Sequence, residues 1–188
     1  LVRRVSARHI PVVGCNFGAL EGPASKIELD WGALIPLRYL AAEFASGSDP
    51  ATAANAANAA NAGSLPPVVL VGPSRDIPWA QLVELGETLA ATAAAQDRRL
   101  AIVASADQAH AHRADGPYGF APEAETYDRR IQEIITADRL EQLLQIDPAL
   151  VEAARPDSLW QMLILYGALR AASRGAAAAV AHEAAAAV

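Results

Sequence analysis

Apolar positions come as short continuous runs in the first part of the chain and as stripes at helical spacing in the rest. The run "IPVVGCN" at residues 10–16, closed by Gly14, has the pattern of a buried strand followed by a loop. In "ALIPLRYLAAEF", residues 33–44, Leu34, Leu37, Tyr39, Leu40 and Phe44 recur near helical spacing, and Pro36 is expected in the first turn, where no amide donor is needed. "PVVLVG" at residues 67–72 reads as a second strand. The stretch "PSRDIPWAQLVELGETLAATAAAQ" follows as a helix, with Asp76 as its expected cap and Pro78 at its start. "RRLAIVAS" then reads as a third strand, and strand, helix and strand at this spacing make a βαβ unit with parallel strands. Beyond "HRADGPYGFAP" the pattern is helical almost to the end, through "EAETYDRRIQEII", "DRLEQLLQI", "PALVEAA" and "DSLWQMLILYGALRAA".

The predicted fold class is therefore α/β, a mostly parallel central sheet flanked by helices, with a helical C-terminal region. A length of 188 residues suits one domain with a proper core, expected over residues 1–174. Residues 46–66 carry a tandem "NAA" repeat rimmed by Gly, Ser and Pro and are expected to form a mobile surface insertion. Residues 175–188 form an Ala-rich tail of high helix propensity with little to pack. The chain opens at Leu1 in what reads as the tail of a helix, "LVRRVSARH", so its beginning is expected to be missing.

A net charge of -6 with no basic cluster argues against nucleic acid or an acidic membrane surface as partner. Cys15 is the one cysteine, which excludes an internal disulfide framework, and it reads as an inert buried thiol. No stretch is apolar for long enough to span a bilayer or to serve as a leading signal peptide, so the expected location is the cytoplasm. A small-molecule substrate remains, with a homo-oligomer or partner chain left open.

In a parallel sheet, ligands bind beyond the carboxyl ends of the strands, which leaves the loops after Gly14, Gly72 and Ala104 as candidates. The third alone is rich in titratable groups, with Asp107, His110 and His112, then Asp115 and Tyr118. Histidine works as acid or base near neutral pH because an imidazole ordinarily titrates near pH 6.5. The plainer alternative is a polar loop that happens to hold histidine. "HAH" alone is a weak metal signal, since imidazoles two apart on an extended segment point to opposite sides.

"SADQAH" at residues 105–110 resembles the Ser-Gly-Asp-x-Ser-His segment of the class III extradiol ring-cleavage dioxygenases, the superfamily of the protocatechuate-cleaving catalytic B subunit. "DWGALIPLRYL" is similar to their Asp-His-Gly-x-x-x-Pro-Leu segment, and "GPYG", "YD" and "LILYGAL" resemble later landmarks, in order over residues 10–169. The resemblance implies Fe(II), held by two histidines and a carboxylate, with a catechol-type aromatic and dioxygen as substrates. It implies His110 as acid-base catalyst, with Asp107 orienting it or ordering the loop. His112 is a candidate substrate-binding or loop-holding residue.

Where the family's Asp-His-Gly segment has its histidine, this chain has Trp31, which either lines an aromatic pocket or belongs to the core. Asp157 stands nearest to the family's metal carboxylate, with Glu152 further off; alternatively Asp157 begins a helix beside a Ser158-x-x-Gln161 capping box. The resemblance implies that the two iron-binding histidines lie upstream of Leu1; His9 is no substitute, because it precedes the first apolar run, on the side opposite the expected ligand crevice. Tyr118 either touches substrate or serves an ordinary Pro-Tyr-Gly turn. Arg75 either holds a substrate carboxylate or makes a surface salt bridge. Met162, Leu163, Leu165 and Tyr166 read as a core stripe. The rival to the enzyme is a non-catalytic binding or assembly protein of the same fold whose iron site has decayed.

Overall fold

The computed structural model describes residues 1–14, 17–18, 25–26, 29–46 and 67–186. In chain order the elements are α1 (Val2–Ser6), β1 (Phe17–Gly18), β2 (Ser25–Lys26), α2 (Trp31–Ser46), α3 (Trp79–Ala94), α4 (Glu123–Thr136), a 3-10 helix (Leu140–Gln145), α5 (Pro148–Ala154) and α6 (Leu159–Ala186). They fall into two units, one of Gly14–Gly72 and one of Leu1–Val13 with Pro73–Val188. Cys15 and nearly all of the expected insertion, residues 47–66, lie outside the described residues.

The expected parallel sheet is corrected by these elements. Among the described residues the only ladder joins β1 to β2, antiparallel, with Phe17 opposite Lys26 and Gly18 opposite Ser25. The three apolar runs read as buried strands are not assigned as strands in residues 10–13, 67–72 and 100–105, and apart from Ile10, which is buried, most of their side chains are exposed: Val13 is 81%, Val69 69% and Val103 55% exposed. A run of apolar residues becomes a strand only where a neighbouring segment, about 4.8 Å away, takes its backbone N–H and C=O groups. None of the three has such a ladder here, so the βαβ unit reduces to its helix.

In the smaller unit, Asp30 caps α2, its carboxylate accepting the Ala33 N–H at 2.9 Å. Pro36 falls inside the helix, past the expected first turn. Its ring faces the carbonyl of the residue four before, Gly32, and the hydrogen bond that closes there in other helices is lost.

The larger unit is built from helices. In α3, Leu82, Val83, Leu85, Gly86, Thr88 and Thr92 form the buried face, and the residue before the helix is Pro78 rather than the expected Asp76. The stripe Ala124, Tyr127, Ile131 and Ile134 is the buried side of α4, with Glu123 and Glu125 in a first turn that favours negative charge. Asp147 caps α5 by accepting the Ala149 N–H at 2.9 Å, and Pro148 sits at the helix start. Arg155 ends α5 in the left-handed region, φ +55°.

The centre of the unit is the crossing of α3 and α6. A Cβ on Gly86 would stand 1.9 Å from the Ile164 carbonyl oxygen, and one on Gly167 would stand 1.9 Å from that of Val83. The two helices therefore touch backbone to backbone. Glu87 of α3 meets Arg170 at 2.9 Å and Arg174 at 3.2 Å on α6, and this carboxylate holds the Arg170 guanidinium above its ordinary pKa. Leu82, Leu159 and Leu163 are fully buried, together with Ile131, Ile134 and Leu143 from the neighbouring helices. Met162 is buried, whereas Leu165 and Tyr166 are half-buried. No helix among the described residues is long and apolar enough to cross a membrane.

Candidate active site at the histidine loop

The loop after residue 104 is held between α4 and the α5–α6 connection. The backbone N–H groups of His110 and Ala111 both donate to the Ala154 carbonyl, at 3.0 and 3.3 Å. Three residues earlier, Asp107 pairs with Asp157 in an isolated antiparallel bridge, the Asp157 N–H donating to the Asp107 carbonyl at 3.0 Å. The end of α5 and the start of α6 thus fix both ends of the Asp107-x-x-His110 segment.

His110 Nδ1 lies 2.8 Å from the Arg155 carbonyl oxygen. A carbonyl only accepts, so Nδ1 carries the hydrogen and Nε2 is left as the atom that gains and loses a proton. Asp107 Oδ2 is 3.2 Å from that Nε2, placed to pair with it whenever the proton is present. The left-handed backbone of Arg155, a conformation rare outside glycine and costing about 1 kcal/mol or more, belongs to the residue whose carbonyl meets the imidazole. The His110 side chain is 21% exposed, so the ring is sheltered but reachable. Tyr118 packs against it, ring centroids 4.9 Å apart and planes tilted by 49°. Gly119, at φ +71°, makes the turn that brings Tyr118 there.

His112 goes elsewhere. Its Nε2 lies 2.9 Å from Asp128 Oδ2 on α4, while Asp128 Oδ1 accepts the Ala109 N–H at 2.9 Å. The neighbouring Tyr127 is fully buried, its hydroxyl 3.0 Å from the Ser158 hydroxyl. Burial pushes the Tyr127 phenol up to about 12; the Ser158 contact pulls the other way and the charge of Asp128 adds to the rise. Unfolded tyrosine ionises near pH 10. Folding therefore favours the neutral phenol, and this contribution to stability is complete below about pH 10 and is lost as the pH rises through 12. Thermal unfolding followed from pH 9 to 12 should show a steeper fall of the midpoint in the native protein than in Tyr127→Phe.

Arg75 is paired with the Asp157 carboxylate, donates to the Pro156 carbonyl at 3.3 Å and lies over the Trp160 ring, 4.7 Å from its centroid. Asp157 consequently faces a guanidinium. The Ser158 hydroxyl beside it meets Tyr127, and Gln161 donates its side-chain amide to the Asp157 carbonyl at 2.8 Å. Arg75 and Arg155 also line a cleft of about 280 Å³, with Trp79, Val151, Glu152 and Trp160. Arg155 is paired with Glu152 at 2.6 Å, so both cations of the cleft already have carboxylate partners.

The structure thus brings His110, Asp107 and Tyr118 together and sets Arg75 and Asp157 beside them, while His112 turns to α4. Trp31, 73% exposed, is the first residue of α2 in the other unit, and it is no part of that unit's buried core. His9 ends the turn after α1 in the left-handed region, φ +58°. Among the described residues, no group of three or more His, Cys, Asp or Glu is placed to hold a metal ion. The described residues alone therefore do not compose a two-histidine, one-carboxylate iron site. Sequence reasoning passed over Asp128, although it stands in the "YD" landmark, and the Arg155 carbonyl, which no side-chain pattern announces.

No curated protein matches the chain. A family model does: that of the catalytic LigB subunit of aromatic ring-opening dioxygenase, over residues 8–186, which takes in the histidine loop and both helices of the central crossing. The chain accordingly belongs to the LigB family of aromatic ring-opening dioxygenase catalytic subunits.

Proposed function

We propose that this chain opens the ring of a catechol-type aromatic with dioxygen, in an Fe(II)-dependent extradiol cleavage, with His110 as the proton carrier. The observation that supports this most is the His110 geometry: Nδ1 tied to a backbone carbonyl, Nε2 free to exchange its proton beside Asp107. Cleavage of this type adds both oxygen atoms of O2 across the bond next to the diol. A hydroxyl proton must leave, and a proton must return to oxygen before the ring opens. An imidazole whose one nitrogen is locked as a donor makes both transfers at the other nitrogen, without turning over. Asp107 holds the charged form in place. Tyr118 covers one side of the imidazole, and Arg75 and Trp160 form a cation-and-ring wall of the adjoining cleft.

The proton chemistry of His110 does not depend on which groups hold the iron, and the Asp157 carboxylate is paired with Arg75. Trp31, standing where the family motif has histidine, favours a second reading, a non-catalytic binding protein of the same fold. The two are separated by measuring dioxygen uptake with added Fe(II) and a panel of catechols, with the product identified by mass. A product heavier than its catechol by both atoms of O2 is expected. No uptake with any catechol, alongside tight catechol binding, would establish the second reading.

A further inference from the structure

We propose that Asp128 of α4 is a positioning residue for His110, acting by clamping the histidine turn at both of its ends. One carboxylate spans the turn: Oδ1 accepts the backbone N–H of Ala109, and Oδ2 meets Nε2 of His112, each at 2.9 Å. His110 lies between these two anchors and is not itself touched by Asp128. Its backbone N–H goes instead to the Ala154 carbonyl at 3.0 Å, and its Nδ1 to the Arg155 carbonyl at 2.8 Å. The imidazole is therefore set between two supports, α4 on one side through the turn and the end of α5 on the other through direct bonds.

The base of the clamp is rigid. Tyr127, the residue before Asp128, is fully buried and meets the Ser158 hydroxyl at 3.0 Å, so the helical turn that carries the carboxylate is tied to the segment that receives His110 and Asp107. A carboxylate suits this place because two acceptor oxygens, held in one plane, fix the spacing of two donors. An amide keeps one acceptor and presents a donor in place of the other. Alanine removes both. In its consequence for turnover the inference rests on the proposed role of His110; in its consequence for the imidazole it stands alone.

The test compares the native protein with Asp128→Asn and Asp128→Ala by nitrogen NMR of the histidine rings and by steady-state kinetics. In the native protein the His110 ring should appear as one tautomer, protonated at Nδ1. In Asp128→Ala the His110 signals should move toward the average of two tautomers, and kcat should fall about a hundredfold, the scale expected for a catalytic group misplaced by about 1 Å, with KM changed little. Asp128→Asn should lie between, and it carries the test alone if the alanine variant does not fold. Native-like His110 signals in either folded variant would overturn the clamp, whatever happens to turnover. The spectrum needs no turnover, so an inactive native protein with the expected His110 response would retain the clamp and overturn the proposed reaction instead.

Discussion

Alanine at Gly86 or at Gly167 should lower the thermal unfolding midpoint by roughly 2–12 °C, from an overpacking cost of about 1–3 kcal/mol and a shift of about 2–4 °C per kcal/mol in a chain of this size. Each new methyl would stand 1.9 Å from a carbonyl oxygen of the facing helix, Ile164 for Gly86 and Val83 for Gly167. Real Cβ contacts do not come that close, and backbone cannot swing aside as a long side chain does, so α3 and α6 must separate. Separation loosens Leu82, Val83 and Leu163 together, all buried around this crossing. One effect opposes the loss, because alanine favours a helix over glycine by about 1 kcal/mol. The clash exceeds it. Both substitutions spread the same crossing, so the double variant should lose less than the sum of the two singles. Calorimetry of the three variants checks this, and a midpoint that rises in either single variant would show that the helices do not meet as described.

How far the sequence could be read depended on whether an element carries its own partner. Residues 124, 127, 131 and 134 recur at helical spacing, and a helix closes its hydrogen bonds within itself, so α4 was legible from its stripe alone. The runs "IPVV", "PVVLVG" and "LAIVAS" were apolar enough for strands, but a strand needs a second segment to bond with, and an apolar run does not state which one. That is where the parallel sheet was misjudged. Gly167 shows a different limit. In the sequence it was a family landmark within "LILYGAL"; its physical reason, close approach to Val83, depends on a residue in another helix.

The candidate site divides in the same way. Asp107 and His110 are three residues apart, a spacing at which two side chains on a turn meet, and they do so at 3.2 Å. The Arg155 carbonyl that sets the tautomer lies 45 residues further on and faces His110 through a left-handed backbone that an arginine does not advertise. Arg75 and Asp157, 82 residues apart, were read separately, one as a substrate clamp or surface ion pair and the other as a metal ligand or helix cap; in the structure each is the other's partner.

Replacing His110 with alanine has the largest expected effect on function, a loss of about 10²–10⁴ in kcat, the range that a positioned acid-base group contributes. Alanine deletes Nε2, the atom proposed to carry the proton, and leaves Asp107 without its partner. The fold should hold, because the two backbone bonds from residues 110 and 111 to Ala154 do not involve the imidazole. Asp107→Asn should cost less, since the Arg155 carbonyl still fixes the tautomer and only the support for the charged ring is removed. The decisive measurement is the rate of dioxygen uptake at saturating catechol by His110→Ala against the native protein, at equal iron content and after circular dichroism has shown both folded. A hundredfold or greater loss, with catechol still bound, is the expected result. Uptake at the native rate would contradict the assignment of His110 as the proton carrier.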